Sequence, residues 1–153
     1  IWMFETKNQK LTTDNRMHNI PMIEEAIALA TQTQKNAHCP YSKYPVGAAI
    51  GFLANGESHL IGGCNVENIS FGLCQCAERS AICTAVALFG KIEIDLVVVA
   101  TKDGGTPCGS CRQVISEFAA ENCKVICVDE TGNQNEYAFA SIFPNSFCSD
   151  QLG

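Results

Sequence analysis

The sequence predicts an α/β fold built around a mixed sheet, and three observations carry that expectation. Asn55-Gly56 separates two apolar segments and signals an antiparallel hairpin. Two largely apolar runs, 94–100 (interrupted by Asp95) and 124–128 (opening on Lys124), flank a stretch of helical periodicity, the pattern of parallel strands joined by a helical crossover. A further segment, 77–89, carries Ala, Ile and Val at three- and four-residue intervals and stops at Gly90, as a buried helix does.

Taken in order, residues 1–20 are polar and aperiodic apart from Trp2 and Phe4, and read as an N-terminal extension. Residues 21–153 are expected to form a single domain, since a chain of 153 residues is of the usual size for one core. From Pro21, suited to a first helical turn, Ile23, Ala26, Ile27 and Ala30 recur at helical spacing, and this helix ends before Pro40. The segment Cys39-Pro40-Tyr41-Ser42-Lys43-Tyr44-Pro45 is held out of regular structure by its prolines, as loops that line pockets often are. Strands are expected over 46–53 and 58–64, a helix over 77–89, and a strand over 94–100. A helix from about 108 to 120 then leads to a strand over 124–128, and 137–143 reads as a last strand or a short helix before Pro144.

Composition narrows the function. The formal charge of −6, with no block of like charges, lacks the electrostatic footprint of a dedicated polynucleotide binder, so small-molecule substrates fit better. No apolar stretch approaches the roughly 20 residues that span a bilayer. Ten cysteines would form a disulfide framework in a small secreted domain. Here Cys76, Cys83, Cys123 and Cys127 lie in apolar, periodic segments where a free thiol packs as a small hydrophobe, and no apolar leader with a basic flank is seen. A reducing, cytoplasmic setting is the expectation.

Pro107-Cys108-Gly109-Ser110-Cys111 has the Cys-x-x-Cys spacing that lets two thiolates from one helix start reach the same ion. Alone, the same spacing also suits a redox pair, half of a zinc knuckle, or two core cysteines. Context favours zinc. Cys76-Ala77-Glu78-Arg79 also sits where a loop enters a helix, and in such a sheet both helix starts lie at the edge where ligands bind. Cys76, Cys108 and Cys111 are then the expected ligands of one Zn2+, leaving a coordination position open as catalytic rather than structural sites do. Cys74 is the rival for that fourth position; it, Cys64 and Cys83 are expected to pack in loop or core. An ion held by three thiolates carries a net charge of −1, which surrounding positive potential must offset. The two helix N-termini supply some, and Arg79 can reach back over the first turn to a sulfur. Glu78, at the same first turn, can lean toward a water at the metal and move its protons.

These motifs resemble the homotetrameric cytidine deaminases, whose pattern is Cys-Ala-Glu followed by Pro-Cys-x-x-Cys. The likeness extends to Cys39-Pro40-Tyr41-Ser42-Lys43-Tyr44-Pro45-Val46-Gly47, to Gly63-Cys64-Asn65-Val66-Glu67-Asn68 and to Phe143-Pro144-Asn145-Ser146-Phe147, in the same order over about residues 22–150. The related group with His in place of the first Cys includes the polynucleotide deaminases; this chain has Cys76 there. The resemblance implies a three-layer α/β/α fold with a five-stranded mixed sheet, one zinc per chain, and a homotetramer with pockets shared between subunits. It implies that Asn65 and Glu67 hold the ribose and that Tyr44, where the family usually has Phe, lies against the pyrimidine. The backbone of Ala77 and the carbonyl of Thr106 would meet the base edge, and Phe147 would close a neighbouring subunit's pocket. Phe71-Gly72 departs from the family's usual Tyr-Pro, and residues before Pro21 have no counterpart.

The activity so implied is hydrolytic deamination of cytidine and deoxycytidine in pyrimidine salvage, with Glu78 carrying protons first to N3 and then to the departing amino group. Two other readings stay open on the residues alone. One is a deaminase of a cytosine-bearing antibiotic, as in the similar blasticidin S deaminases, against which Asn65, Glu67 and Phe147 favour a plain nucleoside. The other is a non-catalytic zinc module, against which an intact Glu78 and the acidic balance count.

Overall fold

The computed structural model describes residues 20–148 and 151. The expected extension therefore lies outside the described residues up to position 19, and Ile20 already belongs to the first helix, α1 (Ile20–Gln34).

The hairpin forms where the sequence places it. Asn55 and Gly56 both take left-handed backbone, φ 53° and 81°, as the two central residues of a type I′ turn must. They join β1 (Gly47–Ala54) to β2 (Glu57–Cys64) in an antiparallel pair closed at Ala54 and Glu57. β3 (Glu93–Ala100) pairs antiparallel with β1 and parallel with β4 (Ala119–Val128), and β5 (Gln134–Ala138) lies antiparallel on the far edge. The result is one five-stranded mixed sheet in the order β2-β1-β3-β4-β5.

Alternation along the strands sends side chains to two separate cores. On one face Ala26 and Ala30 of α1 pack with Ala49, Leu96, Val98 and Ile126. The other face is covered by α2 (Ala77–Phe89), α3 (Gly109–Ser116) and α4 (Phe139–Ile142), whose Ala81, Ile82, Ile115 and Phe139 pack with Ile50, Phe52, Val97, Val99 and Val125. This is the three-layer α/β/α arrangement. Since β2 and β3 both run against β1, and β4 runs with β3, the carboxyl ends of β2, β3 and β4 share one edge.

Close backbone approach fixes where α2 begins. A Cβ on Gly63 of β2 would lie 2.5 Å from the carbonyl oxygen of Ala77 and 2.6 Å from the amide nitrogen of Ala81. Only a glycine lets the first turn of α2 rest on the strand backbone at this distance. Gly47 does the same for α1, where a Cβ would fall 2.0 Å from the Ala30 carbonyl oxygen.

Three expectations are corrected. The helix expected over 108–120 ends at Ser116, because the Ile94 amide donates to the Phe118 carbonyl at 2.8 Å and Ala119 already pairs with Ile94, drawing the chain into the sheet. Ladder pairing overrides the helix propensity of Ala119-Ala120. The segment 137–143 is neither strand nor helix alone: β5 ends at Ala138 and α4 follows at once. Cys83 is exposed, whereas Cys123 and Cys127 are buried; it falls on the side of α2 away from the buried Glu78, Ala81, Ile82 and Ala85. Among the described residues no helix is long and apolar enough to cross a membrane.

The contact at Gly63 has a measurable consequence. Gly63→Ala is expected to push α2 off the sheet and cost about 1–3 kcal/mol of stability in urea unfolding. Gly72→Ala, at a position with nothing within 4 Å of an added Cβ, should leave the midpoint in place. An unchanged midpoint for Gly63→Ala would contradict this packing.

Candidate active site

Both cysteine motifs occupy the shared carboxyl edge. Cys76 is the N-cap of α2 and Cys108 the N-cap of α3, each with extended backbone (φ −75°, ψ 155° and φ −68°, ψ 169°), and neither side chain makes a capping hydrogen bond. Cys111 follows one turn into α3 and is buried. The three sulfurs lie within 4.8 Å of one another. Thiolates at about 2.3 Å from a tetrahedral ion are roughly 3.8 Å apart, so small side-chain adjustments suffice to seat zinc on this soft donor set.

Cys74 does not join them. Its sulfur accepts from the Asn68 amide at 3.3 Å and lies 3.6 Å from the Asn68 carbonyl oxygen, turned into the loop before α2. The metal group among the described residues is thus three thiols, which leaves a fourth tetrahedral position for a small ligand.

The electrostatics fit a cation. A hydrogen bond from Cys111, with Arg79 next, holds the Cys76 thiol down at about 5, while that same bond and burial push Cys111 up. A metal ion bound by these sulfurs would displace their protons. Arg79 lies as expected: its Nη2 donates to the Cys74 carbonyl at 2.9 Å and to the Cys76 sulfur at 3.8 Å. Burial instead pushes Cys123 up to about 12 and Cys127 up to about 11, so these core thiols stay protonated and inert.

Glu78 sits in the first turn of α2 and is only 4% exposed. Burial, above all, raises its carboxyl, and the charge of Cys76 adds to the effect. A carboxyl so placed gives up and regains a proton more readily near neutral pH than an exposed one.

Of the residues expected at the substrate end, Asn65 and Glu67 follow β2 and Tyr44 precedes β1 on this edge, and several also hold the loop over 39–46. Asn65 accepts from the Val46 amide at 2.9 Å and donates to the Tyr44 carbonyl at 3.0 Å. One oxygen of Glu67 accepts from the amides of Tyr41 (2.9 Å) and Ser42 (3.2 Å). Tyr41, Ser42, Glu67, Phe71 and Cys74 line a cavity of about 350 Å³. Tyr44 donates its hydroxyl hydrogen bond to Asp103. Ala77 is buried at the start of α2, and the Thr106 hydroxyl accepts from Arg112. Phe147 is 55% exposed, and its carbonyl accepts from Gln113 at 2.8 Å.

Sequence reasoning missed Arg112. Its guanidinium donates to the Pro107 carbonyl (2.8 Å), the Ile142 carbonyl (2.8 Å) and the Thr106 hydroxyl (2.9 Å), so one side chain ties the segment before Cys108 to the end of α4. Its position directly after Cys111 was the signal available, but the acceptors at Ile142 are remote in sequence.

A mixed sheet whose carboxyl edge gathers three thiols and a buried carboxyl defines a metal-dependent α/β enzyme. Residues 21–127 match the family model of the cytidine and deoxycytidylate deaminase zinc-binding region. The cytidine deaminase of Sporosarcina psychrophila is 37% identical over 131 residues, covering 85% of this chain and 94% of that protein. The probable cytidine deaminase of Dictyostelium discoideum is 37% identical over 132 residues, covering 85% and 86%. Among solved structures, cytidine deaminase from Burkholderia pseudomallei superposes with a TM-score of 0.72 at 33% identity, covering 81% of this chain and 98% of that one. The chain belongs to the cytidine and deoxycytidylate deaminase family of zinc-binding enzymes.

Loss of one sulfur should be felt at the metal. Cys108→Ala is expected to reduce zinc below half an equivalent per chain after dialysis, against about one for the unaltered protein, by atomic absorption. Cys74→Ala is expected to keep the full complement; zinc lost equally in both would contradict a three-thiol site.

Proposed function

We propose that this protein hydrolyses cytidine and deoxycytidine to uridine and deoxyuridine, releasing ammonia, as part of pyrimidine salvage. The observation that carries the reading is the buried Glu78 carboxyl in the same helical turn as one of three converged thiols. Cys76, Cys108 and Cys111 would hold one Zn2+, which when bound supplies a water acidified toward a pKa of about 7.

The chain's own groups do the rest. Glu78 accepts one proton from the water and passes it to N3 of cytosine, which makes C4 electrophilic, and the hydroxide left behind adds to C4. Glu78 then takes the proton of the new C4 hydroxyl and passes it to the exocyclic amino group, so that the C4–N bond breaks, ammonia leaves and the C4 carbonyl forms. Burial suits the carboxyl to both tasks, because a raised pKa lets one group act as base and then as acid. Arg79, donating to the Cys76 sulfur, offsets the negative charge of three thiolates. The Ala77 amide, unpaired within the helix at its first turn, and the Thr106 carbonyl meet the edge of the base. Tyr44 lies along the ring, and Asn65 with Glu67 receives the ribose hydroxyls through the hydrogen-bonding capacity their loop contacts leave over.

A homotetramer with shared pockets is part of the same proposal. Ile69 (75% exposed), Phe71 (71%) and Leu73 (71%) put apolar surface beside the cleft, and Phe147 projects from the tail, as residues awaiting another subunit do. A cytoplasmic setting agrees with ten unpaired cysteines.

Glu78→Gln is the test. It should keep one zinc per chain and lower cytidine turnover at least about a hundredfold, followed by the fall in ultraviolet absorbance as cytidine becomes uridine. Turnover near that of the unaltered protein would remove Glu78 from the chemistry. Turnover of blasticidin S faster than of cytidine, in the unaltered protein, would replace the nucleoside reading.

A further inference from the structure

We propose that the Tyr44 hydroxyl and the Asp103 carboxylate form a latch between the loop before β1 and the β3–α3 connection, positioning the Tyr44 ring and the Thr106 segment against the base. The inference rests on the nucleoside reading above and adds to it a positioning pair.

The two residues belong to different walls. Tyr44 lies in the loop leading into β1, whose shape is set by the Asn65 side chain and by Lys43 at φ 56°. Asp103 lies in the connection from β3 to α3, which is fixed to the sheet on its far side. There Thr101 donates its amide to the Val128 carbonyl at 3.0 Å, Glu130 donates to Lys102 at 3.4 Å, and Asp103 bridges to Asp129. Within the connection the Thr101 hydroxyl donates to Asp103 at 3.3 Å and accepts from the Gly105 amide at 2.8 Å. The carboxylate is therefore held from its own side before Tyr44 reaches it from the other.

Tyr44 meets this connection through its hydroxyl, which donates to Asp103 and lies beside the Thr101 side chain. A phenylalanine would offer the same ring without it. Space for the hydroxyl depends on Gly105, where a Cβ would stand 3.2 Å from the phenol oxygen. A hydrogen bond to an ionised carboxylate is among the stronger kinds, and burial followed by Asp103 raises the Tyr44 phenol above its ordinary range. The latch thus fixes the aromatic wall relative to the chain that runs through Thr106 to Cys108. Freed from it, the ring would wander and substrate would bind less well while the metal site stayed intact.

A double-mutant cycle tests this. Tyr44→Phe and Asp103→Ala should each raise KM for cytidine about fivefold, more than either lowers kcat, with zinc content unchanged, and the double variant should raise KM no further. Asp103→Asn, which keeps an acceptor, should recover part of the loss. KM within twofold of the unaltered protein for both single variants, or effects that multiply in the double, would overturn the latch. A second readout needs no substrate. The difference in 295 nm phenolate titration between the unaltered protein and Tyr44→Phe isolates Tyr44, and Asp103→Asn should move that midpoint down. An unmoved midpoint overturns the latch, whereas absent cytidine turnover with a moved midpoint overturns the nucleoside reading alone.

Discussion

Three thiols meet because two helices begin at one edge of one sheet, and the surrounding structure serves that meeting. The parallel pairing of β3 with β4 sends α3 off the carboxyl edge, and the common direction of β2 and β3 brings α2 to it. Gly63 then allows the first turn of α2 to rest on β2. Lose that approach and Cys76 moves away from Cys108 and Cys111, with Glu78 moving too. The site is therefore a property of backbone packing before it is one of side chains.

Burial divides the remaining chemistry. The same desolvation that keeps Cys123 and Cys127 protonated also raises Glu78, but Glu78 sits beside a group of thiols whose charge it feels. The hydrogen bond from Cys111, and after it Arg79, favours thiolate at Cys76, and two helix N-termini add positive potential where the sulfurs converge. Ten cysteines thus fall into different classes by environment, and Cys74, nearest in sequence, is removed from the metal group by its contacts with Asn68.

What was legible in the sequence was local. Asn55-Gly56 specified a turn that needs two positive φ angles, the periodicity of 77–89 matched the helix to the residue, and Cys108 and Cys111 at their spacing, taken with Cys76, pointed to one shared metal ion. Arg79 could be placed because its target lies three residues away. The failures were competitions between distant parts of the chain. Ala119 favours helix until β3 offers it a partner, and nothing near Arg112 announces an acceptor at Ile142. The resemblance to the cytidine deaminases offered Asn65 and Glu67 as ribose contacts, but nothing local marked them as the residues that shape the loop carrying Tyr44, since those contacts reach across more than one element. The bond between Tyr44 and Asp103 joins residues 59 apart and left no mark on either local pattern.

The central claim is an open metal site made by three sulfurs beside a buried acid. X-ray absorption at the zinc edge of the metal-loaded protein tests it most directly. Three sulfur scatterers at about 2.3 Å with one oxygen or nitrogen at about 2.0 Å is the predicted shell. Four sulfurs would contradict it, since the site would then be closed by a thiol and have no position left for water.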